Sequence, residues 1–417
     1  MVTNRTSRDT RGLTSANASG AASPGATQLT LRRANLASVL KTILESPDPP
    51  SRADVATATG MTRSTVSRLV DDLVRGGVLA EQEPVATQKR GRPAVPLVAA
   101  EGTFVGVGLE VSLDFLAVRV LDLAGDVLAE RVLPGEFIAS DPVETLTRLT
   151  SLAADALAEP VAAGVTVVGA GLAVPGIVDE VSPRLLVAPN LGWLELDVPP
   201  IVAGPHAGWS LGNEADLAAL CVGYEKPGRP GAHREFVYIS GAVGVGASIH
   251  MGQTFRGANG WAGEVGHICV DPTGPLCRCG ARGCLEQYVG RRALLDGAGL
   301  AADAPFDELV LALRNDEARA QKAITQAGRA LGQVVSGVVN MLDIRTVILG
   351  GDLSVLGEFV IPQMYPELEV RVLSSRWAPT HVLTADLGTA PAATGAAYGA
   401  LQALIDDPAG WIDSPAG

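Results

Sequence analysis

Residues 263–288 read GEVGHICVDPTGPLCRCGARGCLEQY, a stretch that gathers His267, Cys277, Cys279 and Cys284 in a loop punctuated by Gly266, Gly274, Gly280 and Gly283. One imidazole and three thiolates suit a closed, four-coordinate structural Zn²⁺ site with no position left for water. The glycines let a short loop wrap an ion through backbone conformations that other residues resist. Zinc–thiolate binding contributes on the order of 10 kcal/mol in small zinc peptides, enough to order a loop without regular structure. A Cys277–Cys279 disulfide is disfavoured, because so close a pair rarely bridges without strain. The remaining Cys269 and Cys221 read as core packing.

Pinning the ligands also pins two carboxylates. Glu264 lies three residues before His267, and Glu286 two after Cys284. The free imidazole nitrogen of His267 then falls between them, so the trio offers acceptors and a donor to vicinal hydroxyls of the kind a sugar carries. Taken alone, the two glutamates read equally well as surface charge.

At 417 residues the chain has room for two or three domains. Apolar residues make up 47% but aromatics only 4%, so aliphatic packing dominates the core. No run approaches the ~18 apolar residues of a membrane span, and no signal-peptide core opens the chain. Five cysteines, most of them assigned to a metal, fit a reducing compartment. A cytoplasmic protein without a membrane partner is expected. Charge is uneven: residues 1–100 carry 13 of the 32 Lys+Arg and 8 of the 45 Asp+Glu, against a net charge of −13 overall. An acidic body with a basic front suggests that only the front approaches a polyanion.

Residues 1–28 lack periodicity and are expected to be disordered. A helical pattern runs from near Leu31 to Leu44 and stops before Pro47. Ser51, with Asp54 three residues on, caps a second short helix that Gly60 ends. Thr62 caps a third helix from Arg63 to Arg75, in which Val66, Leu69, Val70 and Leu73 form an inward stripe. Arg63, Ser64, Thr65, Ser67 and Arg68 gather at its exposed leading end, the arrangement of a helix-turn-helix whose second helix enters the major groove. The arginines suit guanine edges or phosphates, and the hydroxyls suit phosphates and thymine methyls. Strands at Val78–Glu81 and Val95–Val98 then bracket a wing whose tip, Lys89, Arg90 and Arg92, suits a minor groove. A small helical interaction module with a charged loop is the blander alternative.

From Thr103 the character changes. Strands at 104–109, 116–121 and beyond Asp126, a helix from Pro142, and a buried strand at 165–174 are followed by a helix after Asn213. A strand at 235–239, a long helix from Glu317 to Leu342, a strand at 346–349 and a closing helix from Ala392 to Ile405 complete the pattern. Hairpins followed by strand–helix alternation, twice over, predict an α/β body of two lobes with a cleft between them.

Several segments resemble one family in order: Val174-Pro175-Gly176, Pro189-Asn190-Leu191-Gly192-Trp193, Asn213-Glu214-Ala215, Val243-Gly244-Val245-Gly246, Gly263-Glu264-Val265-Gly266-His267, the Cys277-to-Glu286 loop and Leu349-Gly350-Gly351. Residues 100–405 thereby resemble the ROK group of repressors and sugar kinases, built on the actin-like, ribonuclease-H-like ATPase fold. Residues 30–99 resemble the winged helix-turn-helix of its repressor branch. The resemblance implies a tail at 1–28, a DNA-binding domain at 29–99, a first lobe at 100–225 plus 391–405, and a second lobe with the zinc loop at 226–390. It puts Asn213, Glu264, His267 and Glu286 on sugar-contacting positions, with Asn190 a weaker candidate.

Departures from the kinases separate the two branches. Glu214 stands where the kinases carry an Asp base. The extra methylene displaces its oxygens, and a misplacement near 1 Å can cost roughly 10²-fold, so Glu214 reads as a sugar hydrogen-bond acceptor. Glu110-Val111-Ser112-Leu113-Asp114 replaces an Asp-x-Gly-x-Thr phosphate loop, with Asp114 opposing phosphate. Ala242-Val243-Gly244 replaces Gly-Thr-Gly, and Ser248 replaces a glycine. The expected protein is a non-catalytic, sugar- or phosphosugar-responsive repressor that binds operator DNA as a homodimer or dimer of dimers. An ATP-dependent sugar kinase with an accessory DNA-binding domain is the alternative.

Overall fold

Local capping signals decide where the first helices begin and end. The computed structural model describes residues 24–83, 94–179, 182–202 and 208–413. Helix α1 spans Pro24–Glu45, α2 Arg52–Thr59 and α3 Arg63–Arg75. The first helix thus starts before Leu31 and takes in residues 24–28, which the sequence assigned to a disordered tail. Pro24 suits a first turn because it has no N–H to leave unbonded. Residues 1–23 lie outside the described residues. At α2 the Ser51 side chain accepts the Asp54 N–H while the Asp54 carboxylate accepts the Ser51 N–H at 2.9 Å, a reciprocal cap. Thr62 Oγ1 accepts the Thr65 N–H at 3.2 Å, and Val66, Leu69, Val70 and Leu73 are buried as their spacing predicts.

Strands β1 (Leu79–Glu81) and β2 (Leu97–Ala99) pair antiparallel, Glu81 facing Leu97. The second therefore begins after Pro96 instead of at Val95. Proline has no N–H for a ladder, and here its carbonyl accepts the Gln82 N–H at 3.0 Å just beyond the last pair. Lys89, Arg90 and Arg92 of the expected wing tip lie outside the described residues.

The first lobe contains β3 (Phe104–Val111), β4 (Phe115–Asp122), β5 (Val127–Pro134), α4 (Pro142–Ala162), β6 (Thr166–Val174), β7 (Ile177–Asp179), β8 (Arg184–Ala188), β9 (Trp193–Asp197), β10 (Gly208–Asn213) and α5 (Glu214–Gly223). Its main sheet runs β10-β6-β3-β4-β5, an antiparallel meander extended by two parallel strands, while β7-β8-β9 forms a small separate sheet. A short ribbon of β11 (Tyr224–Lys226) and β12 (Arg229–Pro230) follows.

The second lobe holds β13 (Glu235–Gly241), β14 (Val245–Met251), α6 (Glu286–Val289), α7 (Arg291–Ala298), α8 (Phe306–Arg314), α9 (Ala318–Leu342), β15 (Thr346–Gly351), α10 (Asp352–Val355), α11 (Gly357–Arg371) and β16 (His381–Thr384). Its sheet order β14-β13-β15-β16 repeats the plan of an antiparallel hairpin extended by parallel strands. Among the described residues no helix is long and apolar enough to cross a membrane.

Helix α12 (Pro391–Asp406) and the short α13 (Ala409–Ile412) return the chain to the first lobe. α12 lies against β3 so closely that a Cβ on Gly108 would sit 1.6 Å from the Ala393 carbonyl oxygen. Only glycine admits that approach. Farther along, Leu401, Leu404, Ile405 and Ala409 join α1, α3 and β1 in one hydrophobic core with Phe104, Leu121 and Val168. Arg32–Asp413, Arg33–Asp407 and Lys41–Asp406 ion pairs fringe this junction. Exposed pairs are worth ~0–1 kcal/mol each, whereas burying one large apolar side chain is worth about 1.5–3 kcal/mol. The shared core therefore fixes the helix-turn-helix to the first lobe, and the ion pairs set its register.

Candidate functional site

A cavity of about 240 Å³ opens between the lobes, and the residues around it come from short turns held by backbone bonds. The sequence between β14 and α6 folds back on itself: Cys277 N–H donates to the Ala281 carbonyl at 2.8 Å and Val270 N–H to the Gly283 carbonyl at 2.7 Å. Gly283, at φ +67°, passes so near Asp271 that a Cβ would lie 1.6 Å from its carbonyl oxygen. This folding brings one ligand atom from each of His267, Cys277, Cys279 and Cys284 to within 4.8 Å of the others, a group that could hold a metal ion. His267 Nδ1 is 3.8 Å from Cys277 Sγ, and the Cys279 and Cys284 sulfurs are 3.7 Å apart. Burial pushes the Cys277 and Cys284 thiols up, Cys284 to about 12. A nearby cation is what would let them ionise. Cys269 departs from its expected place: it is exposed, while its backbone pairs with that of Cys284 in an isolated antiparallel bridge. Cys221 is half-buried and donates its thiol to the Pro391 carbonyl at 3.1 Å.

With Nδ1 directed at the cysteines, His267 Nε2 is left facing Glu264 Oε2 at 3.9 Å. Burial pushes the Glu264 carboxyl up, and His267 pulls it partly back. Glu286 opens α6 almost fully buried, with one oxygen accepting the Val245 N–H at 3.3 Å and the other the Cys277 thiol at 3.6 Å. Glu264, His267 and Glu286 thus line the same cavity as Asn190, Asn213 and Glu214.

Asn213 is more committed than its spacing suggests. It caps α5, its Oδ1 accepting the Ala215 and Asp216 N–H groups at 2.8 and 3.2 Å, and its Nδ2 donates to the Gly176 carbonyl at 2.8 Å. One amide N–H remains for a ligand. Burial pushes the Glu214 carboxyl up, and Asp114 adds to the shift. Burial likewise raises its neighbour Glu110.

Three features escaped sequence reasoning. Glu110 Oε2 accepts the Ala393 N–H at 2.9 Å, so a carboxylate on β3 caps α12, whose own N-cap position is Ala390. Arg278, between two of the cysteines, lines the cavity and reaches Asn190 Oδ1 at 3.4 Å across the cleft. Its place in the Cys-Arg-Cys run was the available signal. The third is Arg291, at the start of α7. Its guanidinium bonds Asp352 through two nitrogens at 2.6 and 3.0 Å and Asp114 at 3.0 Å. Its backbone N–H donates to the Ala242 carbonyl at 2.8 Å. Asp114 is therefore not the unpaired negative charge that the sequence implied; it shares Arg291 with Asp352, and Arg291 ties the segments at 110–114 and 242–244 to the strand end at Gly351.

On α3, Arg63, Ser64 and Arg68 are exposed, whereas Thr65 and Ser67 are half-buried. Thr65 turns its hydroxyl to Thr62 Oγ1 at 2.9 Å, and the Ser67 carbonyl accepts from Arg52 at 3.0 Å. Arg52 also pairs with Asp71 and Glu81, fastening α3 to the strands behind it.

A helix-turn-helix joined to a two-lobed, actin-like domain with a cleft defines the class of protein. Residues 34–83 match the IclR helix-turn-helix domain, and residues 107–403 match the ROK family. The chain belongs to the ROK family. It is 28% identical over 351 residues to the xylose repressor of Caldicellulosiruptor bescii, covering 80% of this chain and 87% of that one. A ROK family transcriptional regulator homologous to Escherichia coli Mlc has the same fold, with a TM-score of 0.73 at 22% identity over 92% of this chain and 100% of its own. A ROK family glucokinase from Streptomyces griseus, solved with glucose and AMPPNP, superposes with a TM-score of 0.60 at 25% identity, covering 72% of this chain and 99% of its own.

Proposed function

We propose that the protein is a DNA-binding transcriptional repressor of carbohydrate-metabolism genes whose ROK domain binds a sugar or phosphosugar without phosphorylating it. The observation that carries this reading is α12, which runs from the Glu110 carboxylate beside the cavity to the core shared with the helix-turn-helix. A ligand that moves Glu214 or Glu110 acts on one end of a rod whose other end holds the DNA-binding helices. Arg63, Ser64 and Arg68, with Thr65 and Ser67 flanking, contact DNA, and Lys89, Arg90 and Arg92 extend the contact. Half-sites about one helical turn apart fit a homodimer.

In the cavity, Glu264, Glu286, Glu214, Asn190, the free Asn213 N–H and His267 Nε2 bind sugar hydroxyls. The metal is structural Zn²⁺: a tetrahedral shell with Zn–S bonds of ~2.3 Å puts sulfurs about 3.8 Å apart, close to the 3.7 Å between Cys279 and Cys284. When bound, the ion fixes the loop and leaves no open coordination position. Against catalysis stand Glu214 in place of Asp and the Arg291 ion triad among the phosphate-loop segments. Phosphoryl transfer rests on positioning and on stabilising charge, and a guanidinium already matched by two carboxylates has little left for phosphate.

Operator gel shifts across a sugar and sugar-phosphate panel test the reading. One compound should weaken binding about 100-fold, a coupling of about 2.7 kcal/mol; indifference to every compound would overturn effector control. The likeness to the glucokinase favours one other reading, a sugar kinase. A coupled assay with Mg-ATP finding turnover of ~1–100 s⁻¹ would establish it.

A further inference from the structure

Two arginines beside the cleft are engaged in different ways. Arg291 is shared between Asp352 and Asp114. Arg278, among the described residues, pairs with no carboxylate: its hydrogen bond goes to the neutral amide oxygen of Asn190, at a long 3.4 Å. Acids are not scarce, since the chain carries 45 Asp+Glu against 32 Lys+Arg, and Glu214, Glu264 and Glu286 line the same cavity as Arg278. Two of those glutamates face other groups: Glu286 accepts the Val245 N–H and the Cys277 thiol, and Glu264 faces His267. An exposed arginine is by default a solvated charge. This one has a fixed base, because it lies between Cys277 and Cys279 in a turn closed by the Cys277 N–H on the Ala281 carbonyl at 2.8 Å and the Gly280 N–H on the Cys277 carbonyl at 3.0 Å. The turn that gathers the cysteines therefore also presents a guanidinium to the cavity.

We infer that Arg278 selects an anionic sugar, a ring bearing a phosphomonoester or a carboxylate, over its neutral parent. The inference rests on the sugar-binding reading proposed above and narrows its ligand. The ring hydroxyls fall to Glu264, His267 and Glu286, and the anion falls to Arg278 beside Asn190. Gly244 joins these two ends of the cavity: a Cβ there would lie 3.0 Å from both Glu286 Oε2 and Asn190 Nδ2. A ligand bonded to Glu286 thus lies next to Asn190, whose partner is Arg278. A guanidinium presents its donors as a planar fork that matches two oxygens of a phosphate or carboxylate. Such an acceptor is a stronger partner than the amide oxygen that Arg278 now holds. Arg278 is exposed, so the anion sits at the solvent edge of the cavity, where the repulsion of the glutamates is screened. A neutral sugar leaves the guanidinium on Asn190 and gains nothing from it.

Isothermal titration calorimetry on the full chain tests it, with glucose, galactose and mannose each set against its 6-phosphate and its uronate, and xylose against xylose 5-phosphate. In at least one series an anionic member should bind at least ~10-fold more tightly than its neutral parent, the scale of a charge-assisted pair. Arg278→Gln should bring that ratio to about one, and Arg278→Lys, which keeps the charge without the fork, should restore part of it. Raising NaCl should shrink the wild-type ratio, because an exposed pair is screened. A response confined to the phosphates supports the inference with a phosphomonoester as the anion, and one confined to the uronates supports it with a carboxylate. A neutral parent that binds as tightly as its anionic forms, or a preference that survives in Arg278→Gln, overturns the inference and leaves the sugar-binding reading standing. Binding of no member of any series overturns that reading and the inference with it. Should Arg278→Gln fail to fold, the salt series on the wild type decides: a preference indifferent to NaCl overturns the proposal.

Discussion

At the metal-loop end of the cleft, side chains are fixed in place and still have bonding capacity. His267 keeps Nε2 free beside Glu264, and Asn213 keeps one N–H after capping α5. At the other end, Arg291 meets Asp352 and Asp114 at 2.6–3.0 Å, so its guanidinium is already shared between two carboxylates. Glu264, His267 and Asn213 line the cavity, whereas Arg291 and its two partners lie behind the lining residues Ser112, Leu113 and Ala242. A hydroxyl-rich molecule adds bonds at the first end, whereas a phosphate at the second end has to displace a carboxylate that is already paired. Removing one partner of such a pair leaves the other charge uncompensated. That asymmetry is the physical basis of the proposed reading, in which the domain binds a sugar without transferring phosphate to it.

The largest effect should come from breaking the metal-loop end. Cys284→Ser removes one of the four side chains that could hold the proposed zinc, and loss of a zinc–thiolate site worth on the order of 10 kcal/mol in small peptides should unfold residues 265–290 and abolish effector response. Elemental analysis and hydrogen exchange report both; a variant with full zinc and unchanged protection would erase the distinction between the two ends.

A smaller loss is expected at the ion triad. Arg291→Ala leaves the largely buried Asp352 unpaired and should cost about 2–4 kcal/mol, below the 3–5 of a fully buried pair because Asp114 is half-exposed. Denaturant titration of Arg291→Ala, Asp352→Asn and the double variant gives the coupling. Additive single effects would mean that the triad holds nothing together.

The smallest effect is a slope with pH. Burial raises the Glu110 and Glu214 carboxyls, so the native state binds more protons than the unfolded chain. Stability from this source is present at low pH and declines as pH rises above the ordinary carboxylate range near ~4.3. Glu214→Gln should flatten that decline by up to about 1.4 kcal/mol per pH unit. Urea midpoints measured across pH for both proteins test it, and parallel slopes would show that Glu214 is ionised in both states.

The legible parts were those written at short range. Ser51 and Asp54 lie three residues apart, as do Thr62 and Thr65, and their caps could be named from the chain. The metal group falls within 18 positions, so its spacing announced it. Pro96 moved a strand by two residues because the missing N–H outweighed the apolar run. Glu110 and Ala393 lie 283 positions apart and Arg291 and Asp114 lie 177 apart, and nothing local joins them. Asn213 was legible as a cavity residue, but its double duty as a helix cap was not.

Sequence alone determined the capped third helix, the cysteine–histidine loop and the strand–helix alternation of the α/β body. Each follows from residues close in the chain, where backbone geometry fixes who meets whom. The tertiary structure decided the rest: that a β3 carboxylate caps the helix leading to the core shared with the helix-turn-helix, and that Asp114 shares Arg291 with Asp352. Those depend on which distant segments pack together, a choice made by the burial of many side chains at once and not by any one stretch of chain.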